Sequence, residues 1–186
     1  GRHEARLMGI RYALTRDFIR RRVTTGTTAV DVGCGTGVLT LELLRSGAQV
    51  IAVDFAPRAL ELTQELVARE LPEGENRLTV RRLDIQAEAI PECDLFLAMG
   101  VTPYLPSMET FFQNTLPSSS LGLVSFVDQR HWANQLRTKV SALNVRDLQF
   151  FDSSEINAMW AQHQFRVVTS TRLGTGYVQE AKRIRA

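Results

Sequence analysis

The stretch Val30-Asp31-Val32-Gly33-Cys34-Gly35-Thr36-Gly37 (VDVGCGTG, 30–37) decides the fold of this 186-residue chain. A short β-rich run from Thr27 to Val32 ends on glycines spaced G-x-G-x-G, and residues 37–46 (GVLTLELLRS) then read as a helix stopped near Gly47. A buried strand entering a helix through bare backbone is the opening of a βαβ unit. The alternation repeats downstream. Gln49 to Asp54 is a second strand, and Pro57 suits the first turn of a helix, where its missing N–H costs nothing. Ala59, Leu62 and Leu66 give that helix its inner face, and Leu71-Pro72-Glu73-Gly74 ends it. Leu78 to Leu83, Asp94 to Met99 and Leu121 to Val127 are further strands, with a short helix at 107–115. Trp132, Leu136, Val140 and Leu143 fall on one helical face. Ser153-Ser154-Glu155 opens another helix to about residue 162, with Ser as the cap. Gln164 to Ser170 and Tyr177 to Ile184 are joined by a glycine-bearing link that favours a hairpin. Upstream, Leu7, Ile10, Leu14 and Phe18 make residues 4–22 an amphipathic helix.

Five βα alternations demand helices on both faces of the sheet, and right-handed crossovers prune the topology. The expected fold is α/β: a three-layer, doubly wound, mostly parallel seven-stranded sheet with an antiparallel terminal strand, in one domain spanning residues 1–186. Ligands of such sheets bind at the carboxyl ends of the strands. The glycines, Asp54, Asp84, Met99-Gly100 and Asp128 each follow a strand there.

The composition, 44% hydrophobic and 23% charged with a formal charge of +2, is that of an ordinary globular chain and gives no ground for a nucleic-acid or membrane partner. The charge is uneven. Residues 1–22 hold seven arginines against Glu4 and Asp17, which reads as a solvated basic helix face or as an anion- or RNA-binding one. The two cysteines, Cys34 and Cys93, read as small buried residues rather than a bridge, and no Cys/His cluster has metal spacing, so no metal is expected. Reduced cysteines, no signal peptide and no membrane-length apolar run give the expectation of a cytoplasmic protein, monomer or homodimer. Opening on Gly1 rather than Met, the chain is expected to lack part of its natural N-terminus.

A glycine loop alone does not identify a ligand. A nicotinamide dinucleotide wants G-x-G-x-x-G/A, and the sixth position here is Val38. The close packing that brings a pyrophosphate to a helix N-terminus is therefore missing. Asp31 ahead of the loop disfavours a phosphate and suits a cation, such as an ammonium held directly or through water. Asp54, 17 residues beyond Gly37, suits the two hydroxyls of a ribose. Phe55 suits an adenine face, and Asp84 with the Ile85 N–H suits an adenine edge. Gly37 is either a ligand contact or the helix start, and Thr36 either a cap hydroxyl or a ligand contact.

This set resembles the class I S-adenosylmethionine (SAM)-dependent methyltransferases. The motif order matches from about Val30 to Tyr104, and the strand–helix rhythm continues it to the C-terminus. VDVGCGTG (30–37) is similar to the family's first motif, Asp54 to its ribose acid, Asp84 to its adenine acid, and CDLFLAMG (93–100) to its fourth-strand motif. Ala56 departs from the family, where many relatives have serine. The resemblance implies SAM as cofactor, bound by Asp31, Gly33, Cys34, Gly35, Thr36, Gly37, Asp54, Phe55, Asp84, Ile85 and Met99.

Acceptor and activity are less constrained. Gly100-Val101-Thr102-Pro103-Tyr104 lacks the [DNS]-P-P-[YFW] motif of enzymes that methylate exocyclic amines of nucleic acids. The expected activity is methyl transfer to a small molecule, on oxygen. The alternatives are an RNA methyltransferase using the basic N-terminal face, a non-catalytic SAM-binding module, and, last, a nicotinamide oxidoreductase. Tyr104 is a wall of the reaction pocket or a packed aromatic. His131 is the candidate base or a residue at a helix start, Asp128 a base or a helix cap, and Arg130 a partner for an acidic group of substrate or surface. Residues 1–22 are a candidate lid, faintly similar to that of porphyrin and quinone O-methyltransferases, and 131–151 a candidate cap over the acceptor.

Overall fold

The computed structural model describes the backbone of residues 2–139 and 148–184, with side chains from residue 9 to 136 and from 148 to 184. Seven strands form one sheet: β1 (Thr28–Val32), β2 (Gln49–Asp54), β3 (Leu78–Arg82), β4 (Cys93–Ala98), β5 (Ser119–Val127), β6 (Phe165–Leu173) and β7 (Gly176–Arg183). The order is β3-β2-β1-β4-β5-β7-β6, and β7 is antiparallel to both neighbours while the other pairs are parallel. The sheet therefore matches the expected topology, and its winding reverses between β1 and β4. The helices are α1 (Arg2–Arg22), α2 (Val38–Arg45), α3 (Pro57–Glu70), α4 (Met108–Thr115), α5 (Trp132–Lys139) and α6 (Ser153–Gln162).

Strand alternation sends successive side chains to two cores. Val30 and Val32 of β1, with Phe96 and Ala98 of β4, face an aromatic core closed by α4 and α6. Trp160 of α6 is completely buried there, its ring 4.7 Å from that of Phe112, and its indole N–H donates to Gln179 Oε1 at 2.8 Å. Ala29, Leu95 and Leu97 face an aliphatic core closed by Phe18 and Ile19 of α1, Leu43 and Leu44 of α2, and Val67 of α3.

Two local expectations are corrected. The inner face of α3 is Leu60, Thr63 and Val67, one residue on from Ala59, Leu62 and Leu66, because the backbone of Gly37 packs against Thr63 and sets the helix rotation. The cap of α6 is Asp152, which accepts from the Ser154 N–H, rather than a serine. Trp132 and Leu136 of α5 stay exposed; Val140 and Leu143 lie outside the described residues, as does the middle of the candidate cap.

The basic N-terminal face is partly turned inward. Glu180 of β7 is 1% exposed, and its Oε1 accepts from Arg22 Nε at 2.8 Å while Arg21 Nη1 lies 3.5 Å from Oε2. A carboxylate buried this deeply needs a cation, so the pair ties α1 to the sheet. Removing Arg22 leaves that charge under-compensated. Arg22→Ala is expected to lower unfolding stability by about 2 kcal/mol in urea titrations, whereas Arg20→Ala, at an exposed position, is expected to stay within about 0.5 kcal/mol. Equal losses in the two variants would show that the ion pair does not anchor the helix.

Candidate functional site

The functional cleft follows from the winding reversal. A cavity of about 630 Å³ opens at the carboxyl ends of β1 to β4. Val32 and Gly33 line it after β1, and Asp54 and Phe55 after β2. Asp84, Ile85 and Gln86 follow β3, and Gly100, Val101 and Tyr104 through Pro106 follow β4.

The glycine loop is held by contacts to three other elements. Gly33 and Cys34 both donate backbone N–H groups to Val53 O, at 2.8 and 3.1 Å. The Gly35 N–H donates to Asp54 Oδ2 at 3.1 Å, and the Ala56 N–H to Oδ1 at 3.0 Å. Asp54 thus carries one backbone bond on each oxygen, with lone pairs left for a ligand. Gly33 has φ of +68°, and a Cβ there would lie 2.2 Å from Val101 Cγ2. Gly37, at φ +81°, is the N-cap of α2, and a Cβ would come within 2.8 Å of Thr63 Cα. The third glycine therefore packs α2 against α3, and Val38 points outward, 46% exposed.

The expected site residues divide into those at the cavity and those supporting it. Gly33, Asp54, Phe55, Asp84, Ile85 and Tyr104 line it. Phe55 is 72% and Tyr104 58% exposed, two aromatic faces open at its rim. Asp84 Oδ1 accepts the Gln86 N–H at 2.9 Å, which leaves lone pairs on the carboxylate for a ligand. Asp31, Cys34, Gly35, Thr36, Gly37 and Met99 lie behind or beside the wall. The Cys34 thiol accepts from the Thr63 hydroxyl, and burial pushes its pKa up to about 12, so it is inert as a nucleophile. Met99 packs into the aliphatic core. Thr36 is exposed and makes no cap bond, leaving that position to Gly37.

Asp128 and His131 line neither this cavity nor a smaller one of about 170 Å³ that shares Gly100 with it. Asp128 is 4% exposed; Arg172 donates to its Oδ2 at 3.1 Å and the Arg130 N–H to its Oδ1 at 2.9 Å. His131 Nδ1 accepts the Ala133 N–H at 3.2 Å, as a residue at a helix start does, and Nε2 is its other ring nitrogen. Arg130 pairs with Asp152 at 2.6 Å. Gln86 was not legible as a site residue. It clamps the loop before α4 by exchanging two 3.1 Å bonds with the Ser107 backbone, and its only sequence signal is its place two residues after Asp84. Among the described residues, no group of three or more His, Cys, Asp or Glu is placed to hold a metal, and no helix is long and apolar enough to cross a membrane.

Residues 30–118 match the family model described as a methyltransferase domain. Magnesium-protoporphyrin O-methyltransferase of Rhodobacter capsulatus is 36% identical over 80 residues, 43% of this chain and 34% of that protein. Ribosomal protein L11 methyltransferase of Alteromonas mediterranea is 32% identical over 138 residues, 74% of this chain and 44% of that protein. The chain thus spans less than half the length of either relative. In structure, magnesium protoporphyrin IX methyltransferase from Synechocystis PCC 6803 with bound S-adenosylhomocysteine (SAH) superposes with a TM-score of 0.77 at 18% identity, covering 98% of this chain and 84% of that one.

Asp31 carries a stability cost that can be measured. It is 2% exposed, on the α2-facing side of β1, and the Thr40 hydroxyl donates to its Oδ2 at 2.7 Å. Burial raises its pKa from 3.8 to about 6, opposed by the Thr40 bonds and reinforced by the Asp54 charge. Between those pH values the folded chain keeps a proton that the unfolded chain has lost, so stability falls as pH rises through the window. Asp31→Asn removes the ionisation while retaining an acceptor for Thr40. It is expected to be more stable than wild type by about 3 kcal/mol at pH 7.5, with the difference vanishing near pH 3.5. Denaturant titrations across that range check it, and parallel curves would show that Asp31 ionises without penalty.

Proposed function

This chain carries a class I SAM-dependent methyltransferase domain, and on that premise we propose that it transfers the methyl group of SAM to an oxygen of a small-molecule acceptor. The observation that carries the reading is the convergence of Gly33, Asp54 and Asp84 on one cavity from three successive strand ends. Asp84 and the Ile85 N–H take the adenine edge, Phe55 covers the adenine face, and Asp54 accepts from the ribose hydroxyls. Gly33 lets the methionine portion lie against backbone, and Asp31 holds its ammonium, directly or through water. The buried acid then gains the cation it lacks in the free protein, and part of its desolvation cost is returned on binding.

The chemistry is an in-line displacement. A bond forms from the acceptor oxygen to the methyl carbon as the carbon–sulfur bond breaks, and the electron pair goes to sulfur, leaving neutral SAH. The leaving group needs no acid, so the protein contributes position and desolvation. A base is required only when the acceptor arrives protonated. Tyr104, open at the cavity rim, faces the acceptor. The likeness to magnesium protoporphyrin methyltransferases, in sequence and in fold, supports a small-molecule acceptor. Arg21 and Arg22 are occupied by Glu180, which withdraws two cations from an RNA-binding face.

Titration calorimetry with SAH tests the cofactor half. Wild type is expected to bind saturably and Asp54→Ala to bind at least about tenfold more weakly, the loss of two hydrogen bonds to a charged acceptor. Transfer of labelled methyl from SAM across a metabolite panel tests the acceptor half. No saturable SAH binding by the wild type sinks the proposal.

A further inference from the structure

Beside the cofactor cavity lies a second one of about 170 Å³, walled by Pro103, Val127 and Leu173 and bordered by Arg11, Gly100 and Ser125. Its volume is that of roughly one aromatic ring. Gly100 borders both cavities, so the two meet at its peptide.

Two donors converge at that junction. Arg11 comes from α1, and its guanidinium lies against Gly100; a Cβ there would sit 2.8 Å from Arg11 Nη1. Among the described residues Arg11 has no ion pair, although Arg21 and Arg22 of the same helix both have one. Ser125 is 9% exposed; its Oγ accepts the Gly100 N–H at 2.7 Å, and its own hydroxyl proton has no acceptor among the described residues. Among the described residues no acidic side chain borders this cavity. A half-buried guanidinium and a buried hydroxyl aimed at one junction, with no anion supplied by the described residues, make a carboxylate site: the fork of Arg pairs both oxygens and the hydroxyl adds a third bond.

We propose that Arg11 and Ser125 form a carboxylate-binding subsite at the junction of the two cavities. This rests on the methyltransferase reading above. The carboxylate comes either from the methionine end of the cofactor, reaching past Gly33 and Val101, or from an acidic acceptor seated in the smaller cavity. Either way α1 closes on the reactants through a charge, which is how the N-terminal helix acts as a lid.

The test compares SAH with 5′-methylthioadenosine, which keeps the adenosine and thioether but has no carboxylate. Calorimetry is run on wild type, Arg11→Gln, Arg11→Lys and Ser125→Ala. If the cofactor supplies the carboxylate, Arg11→Gln is expected to weaken SAH at least about tenfold, with partial recovery in Arg11→Lys, a smaller loss in Ser125→Ala, and methylthioadenosine unchanged, which also shows the variant is folded. If an acceptor supplies it, SAH is unchanged. Methyl transfer from labelled SAM then favours aromatic carboxylic acids over their matched amides in wild type, and Arg11→Gln raises KM for the acids and loses the preference. Unchanged SAH affinity together with no preference for acids overturns the proposal. Failure of wild type to bind either nucleoside is a different result, because it removes the methyltransferase reading itself.

Discussion

The structure depends on the turn from Gly33 to Gly37. Within five residues it donates two N–H groups to the end of β2, one to Asp54, and presses α2 against α3 at Thr63. The positive φ values at these glycines are open to residues without a Cβ, and the close approaches to Val101 and Thr63 leave no room for one. The turn is therefore the join between four elements, and its first residue, Gly33, lines the candidate cavity. Its geometry cannot be altered for stability without altering the site.

Asp31 shows the same coupling as an energy. Strand alternation turns it away from the aromatic core and toward α2, where Thr40 is its hydrogen-bonding side chain. Burial there disfavours its charge in the free protein. A group held at a cost and relieved by a cationic ligand is preorganised for that ligand. On the function proposed above, the stability given up at Asp31 is returned on binding.

The far side of the sheet uses charge for a different purpose. Glu180 faces α1 from β7 and takes Arg22 and Arg21, which fixes the C-terminal half of the helix. Arg11 lies about three turns earlier on α1 and meets Gly100 at the mouth of the cleft. The C-terminal end of the helix is thus anchored by a partner inside the chain, and its middle places Arg11 beside Gly100, where the two cavities meet. Among the described arginines of α1, Arg21 and Arg22 face Glu180 and Arg11 meets Gly100.

Local chemistry was enough for the fold and for the residues that line the candidate cavity at the strand ends. The period-2 runs, the G-x-G-x-G turn, Pro57 at a helix start and the Leu173–Gly176 hairpin act between residues close in sequence, where spacing carries the information. Placing Asp54 and Asp84 at strand ends then put them at the cleft, because a parallel sheet gathers its strand ends on one side. Other features depended on residues far apart in sequence. The rotation of α3 is set by Gly37 meeting Thr63, the partner of Asp128 is Arg172, and the position of Arg11 is set by Gly100, far along the chain. Periodicity cannot report such pairs, since they arise from how whole elements pack. The sequence by itself determined the sheet, its winding and the placement of Asp54 and Asp84 at strand ends that line the cavity. Only the tertiary structure decided which polar side chains, among the described residues, are already committed to partners within the chain, because those partners lie on other elements and meet only when the elements pack.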